Sequence, residues 1–241
     1  LTVGAFIDDR LFSAWLKQKQ ELDPSFNQFI EQNSTAWATW LTTRTWLAAF
    51  VAPAEQRIRE AVTAGKKILI EGAQGALLDL DHGTYPFVTA SSTTAGGALS
   101  SIGLPPRNIE QILGVAKAYV TRVGGGPFPT EIGGELEEEI RKRGQEYGDT
   151  TGRPRRCGWF DAVAMRYVAS MNGLDGILLN KVDILSGLPE LKICTAYEHP
   201  TLGTLQHFPG NLAVLSECQP VYQNFPGWDK DISEIRSFSA L

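Results

Sequence analysis

The chain has 241 residues, 43% of them hydrophobic and 20% charged. That is an ordinary globular balance, with enough length for one large or two small domains and a sizeable core. A formal net charge of −5 without a concentrated basic stretch argues against a nucleic-acid or membrane-surface partner. No apolar run approaches the ~20 residues of a membrane span, no signal peptide is visible, and Cys157, Cys194 and Cys218 stand in no CxxC spacing, which reads as reduced thiols in a cytoplasmic protein.

Residues 1–67 read as a helical segment packed on a core formed by residues 68–241. Arg10 to Glu21 carries Leu11 and Trp15 near helical spacing, and Asp23-Pro24-Ser25 marks a stop and a new start. Trp37, Trp40, Leu41, Trp46, Leu47 and Phe50 recur at roughly i, i+3/i+4, the stripe of an amphipathic helix. Such a stripe is ordinarily core packing. Pro53 suits the first turn of a helix from Ala54 to Ala64, stopped by Gly65.

Ile68, Leu69 and Ile70 form a short apolar run after a turn, which predicts a buried strand. It breaks into Glu71-Gly72-Ala73-Gln74-Gly75, a small-residue turn of the kind found where α/β sheets bind ligands beyond strand ends. Gly72 and Gly75 allow close backbone approach, and Gln74 offers both a carbonyl and an amide. Thr89, Ser91, Ser92, Thr93 and Thr94 follow, a set of hydroxyls suited to an anion or a polyol. A polar surface loop has the same composition. Asp79, Asp81 and His82 invite a metal or acid–base role, but a metal needs three or four convergent ligands. A hydrogen-bonded structural histidine is the simpler expectation.

Ile112, Val115, Ala116 and Tyr119 predict a helix over 109–119. Tyr119 to Val123 predicts a strand running into Gly124-Gly125-Gly126, where the backbone must bend sharply. Glu135 to Arg143 reads as a solvated helix whose charge order suits its dipole.

Two further stretches carry chemistry. Gly148 to Gly158, GDTTGRPRRCG, holds three arginines, and guanidinium forks match carboxylates and phosphates; an exposed basic loop is the plainer alternative. Trp159-Phe160-Asp161 then predicts the start of a helix to Met171. Gly176 to Leu185, GILLNKVDIL, begins with the continuous apolar run of a strand buried on both faces. It delivers Asn180-Lys181-Val182-Asp183 at its carboxyl end. A carboxylate there accepts hydrogen bonds from the ring NH and exocyclic amine of guanine, which adenine does not present. Leu191 to Tyr197 and Val221 to Phe225 predict short strands.

The run EGAQGALLDLDHGTYPFVTASSTTAGG, followed in order by VGGGPFPTE, TTGRPRR and NKVD, resembles the adenylosuccinate synthetases, strongly over 68–241 and weakly before. That resemblance implies an α/β fold, a mostly parallel central sheet with helices on both faces plus a helical amino-terminal segment. It implies a cytoplasmic, homodimeric ligase of purine biosynthesis that condenses IMP with L-aspartate at the expense of GTP, with Mg2+. It places Gln74, Thr89, Val123 and Arg153 at IMP. It places Asp149, Thr150, Thr151, Gly152, Arg153 and Arg155 at aspartate, and Arg155, Lys181, Val182 and Asp183 at GTP. Pro154 stands where many relatives have another arginine, which stiffens the loop.

The resemblance also implies that the phosphate-binding loop, the catalytic base and histidine, and the Mg2+ ligands lie outside this chain, so that the chain by itself is inactive. LTVGAFIDDRLF resembles a segment just after a substrate-contacting arginine, and Phe225-Pro226-Gly227-Trp228 one that leads to further guanine contacts. The rival reading is a guanine-nucleotide-binding module without ligase activity; such a module has no need of TTGRPRR together with EGAQG.

Overall fold

The structure, a computed structural model, describes residues 2–148 and 152–237. It separates into two compact units, Leu1–Lys67 and Ile68–Leu241.

The first unit is helical: α1 (Val3–Ile7), α2 (Asp9–Leu22), α3 (Pro24–Gln32), α4 (Ser34–Ala48) and α5 (Ala54–Thr63). Local chemistry sets the boundaries. The Asp8 carboxylate caps α2 by accepting from the Leu11 amide at 2.8 Å, and Pro24 opens α3, where its missing N–H costs nothing. The aromatic stripe packs within the unit. Trp40 sits against Phe6 and stacks on Trp37, with centroids 4.6 and 4.8 Å apart, and the Arg44 guanidinium lies 4.5 Å from the centre of the Phe12 ring. Trp46 and Phe50 continue the stripe but are exposed.

The second unit contains α6 (Ala95–Ile102), β1 (Leu113–Lys117), β2 (Tyr119–Arg122), α7 (Gly134–Gly144), β3 (Arg156–Asp161), α8 (Ala162–Asn172), β4 (Gly176–Asn180), β5 (Glu190–His199), β6 (Gly203–Leu205), α9 (Leu212–Glu217) and β7 (Gln219–Pro226). It is an α/β arrangement whose sheets are mixed rather than purely parallel. β1 and β4 pair in parallel. In the larger sheet β3 and β5 are parallel, whereas β2–β3, β5–β6 and β5–β7 are antiparallel.

Four sequence expectations give way here. The helix over 109–119 is instead β1. Its apolar residues fit either period, and the parallel ladder to β4 decides, pinned at its start by the Asp175 carboxylate accepting from the Ile112 amide at 2.7 Å. Trp159 to Asp161 belongs to β3, not to α8, because its backbone groups are taken by β2 and β5; Asp161 caps α8 instead, accepting from the Ala164 amide at 2.9 Å. Ile68–Ile70 is neither strand nor buried: Leu69 is 94% exposed, and no ladder partner for the run exists among the described residues. β4 forms where expected, but Ile177, Leu178 and Leu179 are exposed rather than buried on both faces.

Two buried clusters hold the unit together. One gathers Tyr119, Ile140, Cys157, Trp159, Leu185 and Leu188, so α7 has a core face and is not wholly solvated. The other gathers Val163, Cys194, Tyr197, Leu215 and Cys218.

Candidate nucleotide site

The 71–97 stretch is organised by Asp79, which is fully buried. Its carboxylate accepts from the amides of Asp81, His82 and Thr93 and from the Ser92 hydroxyl, at 2.7 to 3.0 Å. Burial alone would push this carboxyl up. The four donors outweigh it and bring the pKa down to about 2, because each favours the charged form. The Thr94 hydroxyl caps α6, and the Thr93 hydroxyl bonds the Gly75 carbonyl. Much of the hydroxyl set therefore shapes the loop itself. His82 is held through its main chain, its carbonyl accepting from the Tyr167 hydroxyl at 2.9 Å. Gln74 stays exposed at a left-handed φ of 63°, a conformation that costs a non-glycine residue on the order of 1 kcal/mol or more. Thr89 is half-buried, its amide bonded to the Leu78 carbonyl.

The triple glycine is a bend held by two arginines. Arg122 donates to the Gly125 carbonyl at 2.8 Å and Arg156 to the Gly126 carbonyl at 2.9 Å. At Gly126, φ is 100° and a Cβ would run into Arg122 and Phe87, so only glycine fits. Val123 beside it is exposed. Arg156 is further held by Glu131 through two contacts of 2.5 Å, which gives this third arginine of the loop a structural task.

The arginine loop closes on itself. The Arg155 amide bonds the Glu146 carbonyl at 3.0 Å, and the Gly148 amide bonds the Arg153 carbonyl at 2.8 Å. Gly152 and Arg153 are exposed on it. Asp149, Thr150 and Thr151 lie outside the described residues.

At the root of this loop is Glu146, 1% exposed, a residue that the motifs in the sequence do not point to. Its carboxylate meets the Lys117 ammonium at 2.6 Å, the Tyr119 hydroxyl at 2.7 Å, the Arg155 guanidinium at 2.9 Å and the Lys181 ammonium at 3.7 Å. Burial pushes Glu146 up, but the Lys117 and Tyr119 hydrogen bonds and the surrounding cations hold it below the usual carboxylate range. Burial also lowers the Lys117 pKa, against the pull of Glu146. The Arg155 Nε is buried and has no hydrogen-bond partner among the described residues.

Beyond β4 the chain turns through Asn180-Lys181-Val182-Asp183. Lys181 has a left-handed φ of 59° and donates to the Gly144 carbonyl. Asn180 lies opposite Lys117 in the ladder, its carbonyl accepting from the Ala118 amide at 2.9 Å. Asp183 starts a short 3-10 turn and lines a cavity of about 400 Å³ with Arg143, Ile184, Ser186, Gly187 and Asp229. Arg143 braces this wall by donating to the Ser186 carbonyl at 2.6 Å, and the Trp228 indole donates to the Ser186 hydroxyl at 3.0 Å. Val182, within the turn, is half-buried.

Among the described residues no three Asp, Glu, His or Cys side chains converge to hold a metal ion, and no helix is long and apolar enough to cross a membrane. The described residues do not assemble a Mg2+ site.

Residues 2–241 match the family model for adenylosuccinate synthetase. The chain is 51% identical over 195 residues to an adenylosuccinate synthetase of Thermodesulfovibrio yellowstonii, covering 81% of this chain and 46% of that protein. It is 53% identical to one from Desulforudis audaxviator over the same length, covering 81% and 45%. Among solved structures, the adenylosuccinate synthetase of Plasmodium falciparum superposes with a TM-score of 0.84 at 35% identity, covering 99% of this chain and 57% of that one. The chain thus spans about half the length of the curated relatives it matches. With the family model matched almost end to end, this chain belongs to the adenylosuccinate synthetase family.

Proposed function

We propose that this chain carries IMP, L-aspartate and guanine-nucleotide contacts of a GTP-dependent ligase that makes adenylosuccinate, in purine biosynthesis. One observation supports it above the others: Arg155 of the arginine loop and Lys181 of the guanine turn approach opposite oxygens of one buried carboxylate. An amino-acid anion site and a guanine site are then neighbours, as a ligase needs and a simple guanine-nucleotide module does not.

In this reading GTP phosphorylates the 6-oxygen of IMP, and the aspartate amine then displaces phosphate. Asp183 accepts from the guanine ring NH and amine, while the Lys181 stem and Val182 flank the base. Arg153 and Arg155 take substrate anions, with Arg153 between aspartate and IMP. Gly152, and Asp149, Thr150 and Thr151 outside the described residues, complete the aspartate loop. Gln74, Thr89 and Val123 contact IMP. The Mg2+ ligands and the catalytic base come from outside this chain. A homodimer in the cytoplasm belongs to the same proposal.

Direct titration of the purified chain with IMP tests it. Saturable binding that Gln74→Ala weakens is expected. Binding of GTP with no measurable IMP binding would favour the module without ligase activity.

A further inference from the structure

Glu146 belongs to none of the residue sets assigned above to IMP, aspartate or GTP, yet Arg155 of the aspartate and GTP sets and Lys181 of the GTP set both reach it. It is buried, it faces three cations, and it hydrogen-bonds the Tyr119 hydroxyl. A carboxylate removed from water survives only when its lone pairs and charge are matched, and here the matching groups come from four different segments. Lys117 ends β1, Tyr119 begins β2, Arg155 closes the arginine loop, and Lys181 opens the guanine turn.

Two of these contacts act on the guanine turn. Lys117 lies opposite Asn180 in the ladder, so Glu146 steadies the residue that enters the turn. Lys181 is itself in the left-handed region, where a lysine does not stay without outside restraint. Its ammonium is restrained by the Gly144 carbonyl and by Glu146. Asp183 follows two residues later and lines the cavity.

We propose that Glu146 is a positioning residue for guanine selectivity. It ties Lys117 and Lys181 to one buried carboxylate, keeps the Asn180–Asp183 turn in its strained form and so aims Asp183 at the base. The same carboxylate anchors Arg155, which fixes the turn relative to the arginine loop. This rests on the assignment of Asp183 to guanine in the proposed function.

The test compares GTP with ITP, which lacks the exocyclic amine, in equilibrium titrations of the full chain followed by NMR. The original chain should prefer GTP by about tenfold or more, one charge-assisted hydrogen bond, and Asp183→Asn should abolish the preference. Glu146→Gln keeps the shape and removes the charge; it should bring the two nucleotides to within roughly threefold. Should that variant not fold, Glu146→Gln with Lys117→Met keeps the net charge of the cluster unchanged and should give the same result. A folded Glu146 variant that weakens both nucleotides alike and keeps the preference would overturn the positioning role and leave the guanine assignment standing. Failure of both variants to fold would mark Glu146 as a folding residue and overturn it too. Absence of a preference in the original chain, or its survival in Asp183→Asn, would overturn the guanine assignment and this inference with it.

Discussion

Arg155 is bonded to Glu146 twice, through its main chain at 3.0 Å and through its guanidinium at 2.9 Å. The double tie fixes the root of a loop whose outer residues, Gly152 and Arg153, are exposed. A rigid base under an exposed tip is how a scaffold presents binding groups without fixing the ligand's own approach.

If Asp183 recognises guanine, Asp183→Asn removes a charged acceptor that serves two donors. At roughly 1.5–3 kcal/mol for each charge-assisted hydrogen bond, the loss is about 3–6 kcal/mol, on the order of 10²–10⁴ in affinity. The variant should lose far more affinity for GTP than for xanthosine triphosphate, in which a carbonyl replaces the amine. Calorimetric titration with both nucleotides checks this; equal losses would sink the assignment.

Arg153→Leu should weaken L-aspartate binding by about 10- to 100-fold, one charge-assisted contact. Arg153→Lys should recover little of it, because an ammonium cannot reproduce the planar two-pronged fork. Titration of aspartate into the three proteins decides the matter, and a lysine variant that binds like arginine would remove the two-pronged contact proposed for Arg153.

Asp79 makes the 71–97 stretch acid-sensitive. Its carboxyl falls from 3.8 to about 2 on folding, so the fold favours the ionised form. That stability is present in full above pH 3.8 and is lost as pH falls through about 2. A shift of this size is worth on the order of 2 kcal/mol. Asp79→Asn should lower the melting temperature at neutral pH, and the gap from the original chain should close as the pH approaches 2.

The cysteines should be silent in the native state. All three are free and buried, and burial pushes the Cys157 thiol up to about 11 and Cys194 up to about 12. Since the thiolate is the reactive form, a thiol reagent at mildly alkaline pH should label none of them before unfolding. Complete denaturation should release all three of the chain's thiols. Rapid labelling of the folded protein would contradict the buried placement.

What could be read from sequence was local. The helix start at Pro24, the glycine bend at 124–126 and the strand entering NKVD depend on residues close together in the chain, and proline and glycine φ limits and apolar runs act over that range. The motif residues could be named for the same reason, since each lies within a short contiguous pattern. Tertiary structure decided the rest. Residues 109–119 carry apolar positions compatible with two periods, and only β4, about sixty residues later, selects the strand by supplying its hydrogen bonds. Trp159 to Asp161 went to β3 because β2 and β5 take its backbone groups. In the sequence Asp79 is one of a group with Asp81 and His82 that invites a metal or acid–base role, and Glu146 is an acidic residue after a charged helix. Their importance lies in donors that only folding brings to them, three amides and a hydroxyl in one case and three cations with a phenol in the other. A carboxylate's role is set by what surrounds it once water is excluded; around Asp79 one loop folds back to supply that environment, and around Glu146 several separate segments do.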